Sequence, residues 1–205
     1  MTRIRKDPEV RRTELIDAAL ELFSSKGYEK TMIIDIVKKT GVAKGTFFYH
    51  FPTKEAILEE ICARWASELA TSFLVKSRQL SALDKLRFFI EQFFLPSYID
   101  TLYDSLVAGN QFNLLYKLWQ QQLETVFNPM LADIIRQGKQ EGTMNVDLIN
   151  ETLAFFWSTL DCLFEAAYNK EPSAVFTNKL QLAQSILERI LRIEDGALEL
   201  TIAQH

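Results

Sequence analysis

The chain has 205 residues, enough for one medium domain or two small ones with a packed core. Nearly half of it is apolar, Phe is abundant at fifteen, and seven Gly with five Pro exclude a disordered or collagen-like chain. Charge divides unevenly: residues 1–50 carry ten Lys/Arg against seven Asp/Glu, or +3, whereas the remainder carries −7 of the net −4. A polyanion is therefore expected at the first fifty residues, because an acidic body repels phosphates. Cys62 and Cys162 are a hundred residues apart with no metal-like spacing, which points to a reducing cytoplasm and to no metal or cofactor. No run of eighteen uncharged apolar residues or secretion signal is apparent, so neither membrane spanning nor export is expected.

The N-terminal arm Arg3, Arg5, Lys6, Arg11 and Arg12 either follows a DNA backbone or minor groove or is a solubilising tail. From Thr13 to Phe23, Leu15, Ile16, Ala19, Leu20, Leu22 and Phe23 recur at three- and four-residue steps, predicting an amphipathic helix that Gly27 ends. Thr31 is the expected N-cap of a second helix with Ile33, Ile36 and Val37 inside, broken at Gly41 after about two turns. A third segment, Lys44 to Tyr49, precedes Pro52, which forbids a continuous helix, and Thr53 is placed to cap a fourth running to about Ser72. That fourth helix is expected to join the two parts rigidly.

Helical patterns follow at roughly 82–95, 98–116, 119–141, 147–169 and 174–194, separated by Pro96, by Gly138 with Gly142, and by Pro172. Pro129 either kinks its segment or starts a new helix after Asn128. No alternating strand pattern is expected. The fold class is all-α, with a three-helix helix-turn-helix domain expected over residues 1–52 and joined by the fourth helix to a helical domain over 53–205.

Residues 31–51 divide by task. Ile33, Ile36, Val37, Val42, Phe47 and Phe51 form a small core with the first helix, and Gly41 permits the turn. Lys44, Gly45, Thr46, Tyr49 and His50 are left outside. Lys44 and Lys54 suit phosphates, bare Gly45 admits close approach of the DNA, and Thr46 with Tyr49 suits base edges or thymine methyls. Thr31 adds a hydroxyl at a helix N-terminus, a seat for phosphate.

The stretch from about Thr13 to Ile57 resembles the DNA-binding domain of the TetR/AcrR family of repressors. The resemblance is most specific over Gly41-Val42-Ala43-Lys44-Gly45-Thr46-Phe47-Phe48-Tyr49-His50-Phe51-Pro52-Thr53-Lys54-Glu55. It implies a dimeric repressor released from a palindromic operator by a small apolar or aromatic effector, and not an enzyme. It also implies phosphate contacts from Thr31, Lys44, Tyr49, His50 and Lys54, and base contacts from Ala43, Gly45 and Thr46. Ala43 replaces the family's usual Ser and forfeits an N-cap worth ~1 kcal/mol. Phe48 replaces a usual Tyr, and Ile34 occupies a position that is often polar.

At about 100° per residue, the 147–169 helix puts Phe155, Thr159, Cys162 and Ala166 on one side. Leu153, Trp157, Leu160, Phe164 and Tyr168 lie on the other. The small-residue side is assigned to a two-fold dimer face, with Phe176, Leu180, Ala183, Leu187, Ile190 and Leu191 of the last helix beside it. The aromatic side is assigned to an effector pocket of Phe112, Tyr116, Trp119, Trp157 and Phe164, with Asp161 either entering it or lying at the solvent edge. Enzyme signatures such as GxSxG, a P-loop, a Rossmann fingerprint, HExxH or CxxC are missing, and the two histidines, His50 and His205, define no site.

Overall fold

A computed structural model describes residues 7–202, so Arg3, Arg5, Lys6 and His205 lie outside the described residues. All the regular structure there is helical. α1 (Pro8–Lys26) starts five residues before its apolar pattern, because the Asp7 carboxylate accepts the Glu9 N–H at 2.8 Å and Pro8 is suited to a first turn. α2 (Ile33–Thr40) begins at Met32, whose side chain caps nothing. Asp35 does the work instead, accepting the Met32 N–H at 2.9 Å and pairing with Lys26 at 2.6 Å, an ammonium that holds its pKa below the usual carboxylate range. Thr31 is therefore not the cap.

Gly41 ends α2 at φ +67°, a left-handed geometry that only glycine adopts without strain. Gly41→Ala is expected to cost about 1–2 kcal/mol by urea unfolding, although nothing lies near the added methyl. No measurable loss would contradict that geometry. α3 (Lys44–His50) follows, and Thr53 caps α4 (Lys54–Lys76) through the Ala56 N–H at 3.0 Å, as its position predicts. α5 (Ala82–Phe93) comes next. The expected 98–116 helix is two, α6 (Tyr98–Ala108) and α7 (Phe112–Gln122), with Asn110 at φ +55° between them.

A π-helical turn, Leu123–Phe127, leads into α8 (Asn128–Glu141). Pro129 thus stands in the first turn of a new helix, where its missing N–H costs nothing. Gly138 lies inside α8, where an added Cβ would sit 2.6 Å from the Met144 sulfur, and left-handed Gly142 ends the helix. α9 (Ile149–Tyr168) and α10 (Ser173–Leu191) pack on each other.

The chain divides into two compact units. The first takes the described residues of Met1–Glu68 and Ser97–Gln122. Its core joins Leu15, Ile16, Ala19 and Phe23 of α1 to Ile36, Val37, Phe47 and Phe51, as the sequence predicts, and adds Leu102, Leu106 and Leu118 from α6 and α7. The second unit holds Leu69–Pro96 and Leu123–His205. Its interior is a ring cluster in which Phe93 lies 5.0 Å from Phe127 and 5.4 Å from Trp157, with Phe94 stacked on Phe164 at 4.3 Å.

After α10 an irregular tail is pinned to this unit. Arg87 donates to the carbonyls of Leu198 and Ala197, and the Leu198 N–H donates to buried Glu188. Leu198, Leu200 and Ile202 point inward while Glu199 and Thr201 face out. The alternation expected nowhere is present here, in irregular chain with Leu198 at a bend and Glu199 at φ +40°, not in a sheet strand.

Candidate nucleic-acid interface

α3 is a seven-residue helix seated by one residue, Phe47, which is fully buried and packs edge-on or tilted against Phe48 and Phe51. The N-cap position, Ala43, supplies no side-chain bond. Around that anchor the expected contact residues turn outward: Ala43, Lys44 and Gly45 are exposed, Thr46 and His50 are half-buried, and Tyr49 is 77% exposed with its ring 4.9 Å from that of His50. The Lys44 ammonium stands 5.7 Å from the centre of the Phe48 ring and makes no ion pair among the described residues. A Cβ at Gly45 would meet nothing within 4 Å, so the backbone there is open to a close partner.

Two expected contacts are placed differently. Thr31 is fully buried, and its hydroxyl donates to the carbonyls of Gly27 at 2.8 Å and Leu22 at 3.2 Å. It closes the turn after α1 and offers no phosphate seat. The Lys54 ammonium likewise donates inward, to the carbonyls of Tyr28 at 2.8 Å and Thr31 at 3.2 Å. Burial lowers its pKa from the usual lysine value, with the Glu29 charge opposing.

Ile34 and Phe48, the departures noted in the sequence, are exposed, as is Met32 at 60%, which sequence reasoning leaves out. Of the basic arm, Arg11 pairs with Glu14 and Arg12 with Glu60, so both are engaged within the fold. The groove between α1 and α2 is lined by Glu14, Asp17 and Glu21, with Lys39 neutralised by Glu21 at 2.6 Å. That groove repels a phosphate backbone.

Known proteins carry the same arrangement. A family model described as bacterial regulatory proteins, tetR family, matches residues 15–61, from the buried face of α1 to the first half of α4. The transcriptional repressor KstR2 of Rhodococcus jostii is 29% identical over 157 residues, 71% of this chain and 72% of its own. The chain is similar to TetR-family regulators, most specifically from α1 to the first half of α4.

Solved structures share its fold. FadR from Bacillus subtilis, solved with stearoyl-CoA, superposes with a TM-score of 0.61 at 22% identity, covering 87% of this chain and 97% of FadR. RolR, solved with resorcinol, gives 0.66 at 14% identity over 96% of each chain.

The six residues expected to line a pocket are split. Phe112, Tyr116 and Trp119 lie on α7 in the first unit, with Phe112 and Tyr116 exposed. Trp157 and Phe164 belong to the ring cluster of the second unit, where the Trp157 indole donates to Asn128 at 2.7 Å. Asp161 lies at the exposed edge of α9, although neighbouring atoms strip enough water to raise its pKa.

The expected dimer face is corrected in part. Ala166 and Leu187 are fully buried, and Phe176, Ala183 and Leu191 are buried too, because this stripe of α10 packs within its own unit. Leu180, Ile190 and Thr159 are half-buried, while Phe155 and Cys162 are exposed. The apolar residues left outside on α10 are Val175, Leu182 and Ile186, which the sequence reading omits.

Proposed function

We propose that the protein is a TetR-family transcriptional repressor that binds a palindromic operator as a homodimer, reading it with Ala43, Lys44, Gly45, Thr46, Tyr49 and His50. A small apolar or aromatic effector held by residues 53–205 releases it, whereas residues 1–52 form the reading head. The observation that carries this is the outward set on α3: one unpaired cation, one open glycine and one exposed tyrosine on a helix fixed by Phe47. Lys44 supplies sequence-independent grip, and Thr46 and Tyr49 supply base discrimination.

Homodimerisation is supported by the exposed seam of Phe155 and Cys162 on α9 with Val175, Leu182 and Ile186 on α10. An apolar effector is supported by the ring-filled interior of the second unit and by the stearoyl-CoA and resorcinol held by FadR and RolR. An effector that binds the DNA-incompetent state better shifts the population toward it. Function of this kind places the protein in the cytoplasm, with DNA and effector as partners and no membrane or cofactor.

Selection of duplexes from a random pool tests the reading. The expected product is a two-fold symmetric site with half-site centres about 34–36 Å apart. An asymmetric site, or no enrichment, would overturn it. A thermal-shift screen of acyl-CoA esters and phenols then tests the effector class, and the stabilising compound is expected to dissociate the complex.

A further inference from the structure

The turn between α1 and α2 is held from two other helices. From α6, Ser105 Oγ accepts the Tyr28 N–H at 3.0 Å. From α4, the Lys54 ammonium meets the Tyr28 and Thr31 carbonyls and stands 4.1 Å from the centre of the Tyr28 ring. That ring is itself 7% exposed and set edge-on to Phe23 at 5.1 Å. Thr31 is tied in the same place, its N–H reaching the Gly27 and Tyr28 carbonyls at 3.2 Å each.

We propose that Lys54 is a positioning residue of the reading head: it clamps the α1–α2 turn to the start of α4 and thereby sets α2, and it makes no phosphate contact. Two of the three ammonium donors are spent on backbone carbonyls and an aromatic face covers another side, so a phosphate would have to displace charge-assisted bonds already made. Thr31 is two residues from the first residue of α2, and α2 fixes Gly41 and the entry to α3. A loosened turn thus misplaces Lys44 and Tyr49 without removing a charge from the DNA interface. The inference rests on α3 being the reading surface.

The test uses the full-length chain and the duplex enriched from the random pool. In wild type, acylation by an N-hydroxysuccinimide acetate is expected to be slow at Lys54 with and without duplex, and to become slow at Lys44 only with duplex. Lys54→Met is expected to weaken binding roughly tenfold with the slope of log affinity against log salt unchanged, and Lys54→Arg to restore binding. Lys44→Met is expected to flatten that slope by about 0.9 for each copy bound.

A flattened slope in Lys54→Met, duplex-dependent protection of Lys54, or binding untouched by Lys54→Met would each overturn the proposal. Should Lys54→Met fail to fold, the acylation pattern of the wild type decides alone. A chain whose Lys44 no duplex protects overturns the DNA reading first and this proposal with it.

Discussion

Leu182→Glu, and separately Phe155→Glu, are expected to leave the chain folded, make it monomeric and weaken operator binding by roughly a hundredfold or more. Each side chain is more than 60% exposed within the chain, so its replacement removes little intrachain packing and changes stability by only about 0.5 kcal/mol. In a two-fold dimer built on this face each position is buried twice, once in each copy, and a carboxylate buried there without a partner is costly. A monomer then holds one half-site and loses the effective concentration that ties the second head to its own. Sedimentation velocity and fluorescence anisotropy read the two effects. A dimer that survives both changes would place the interface elsewhere.

Trp157→Ala is expected to cost about 3–5 kcal/mol of unfolding free energy, and roughly 10 °C in Tm. The indole is 4% exposed and lies 5.4–6.0 Å from the rings of Phe89, Phe93, Phe127 and Phe156, so truncation opens a cavity walled by rings that cannot collapse far. It also removes the donor from Asn128. Trp157→Phe separates the two effects, keeping most of the ring volume and losing the hydrogen bond, with an expected cost of about 1–2 kcal/mol. Calorimetry of the two variants distinguishes them. Equal losses would mean that the hydrogen bond, and not the packing, dominates at this position.

The helix-turn-helix was legible because its signals are local. Gly41 is forced by a left-handed turn, Phe47 is the single fully buried side chain of α3, and the Thr53 hydroxyl caps α4 as its place before an apolar run implies. Thr31 and Lys54 were misread because a hydroxyl and an ammonium donate equally well to a phosphate oxygen and a backbone carbonyl. Only the tertiary position of the Gly27–Thr31 turn decides between them. The N-cap of α2 was missed for a related reason, since a reciprocal bond from Asp35 serves in place of a capping hydroxyl.

The dimer face shows a different limit. A helical wheel finds the most apolar stripe of α10, and that stripe belongs to the chain's own core. Leu182 and Ile186 look unremarkable in sequence and stand out only once Ala183 and Leu187 are seen to be buried. The tail was overlooked although Leu198-Glu199-Leu200-Thr201-Ile202 alternates cleanly, because five residues with no partner strand in sequence predict no sheet. Its partners are polar side chains of α5 and α10, Arg87 and Glu188. These lie about a hundred and ten residues before it and about ten before it.

The most direct measurement is an anisotropy titration of the DNA upstream of the protein's own gene with wild type, Lys44→Ala and Tyr49→Ala. Wild type is expected to bind in preference to unrelated duplex, and each variant to lose about tenfold or more while unfolding at the same temperature. Binding that survives both substitutions undiminished would contradict α3 as the reading surface.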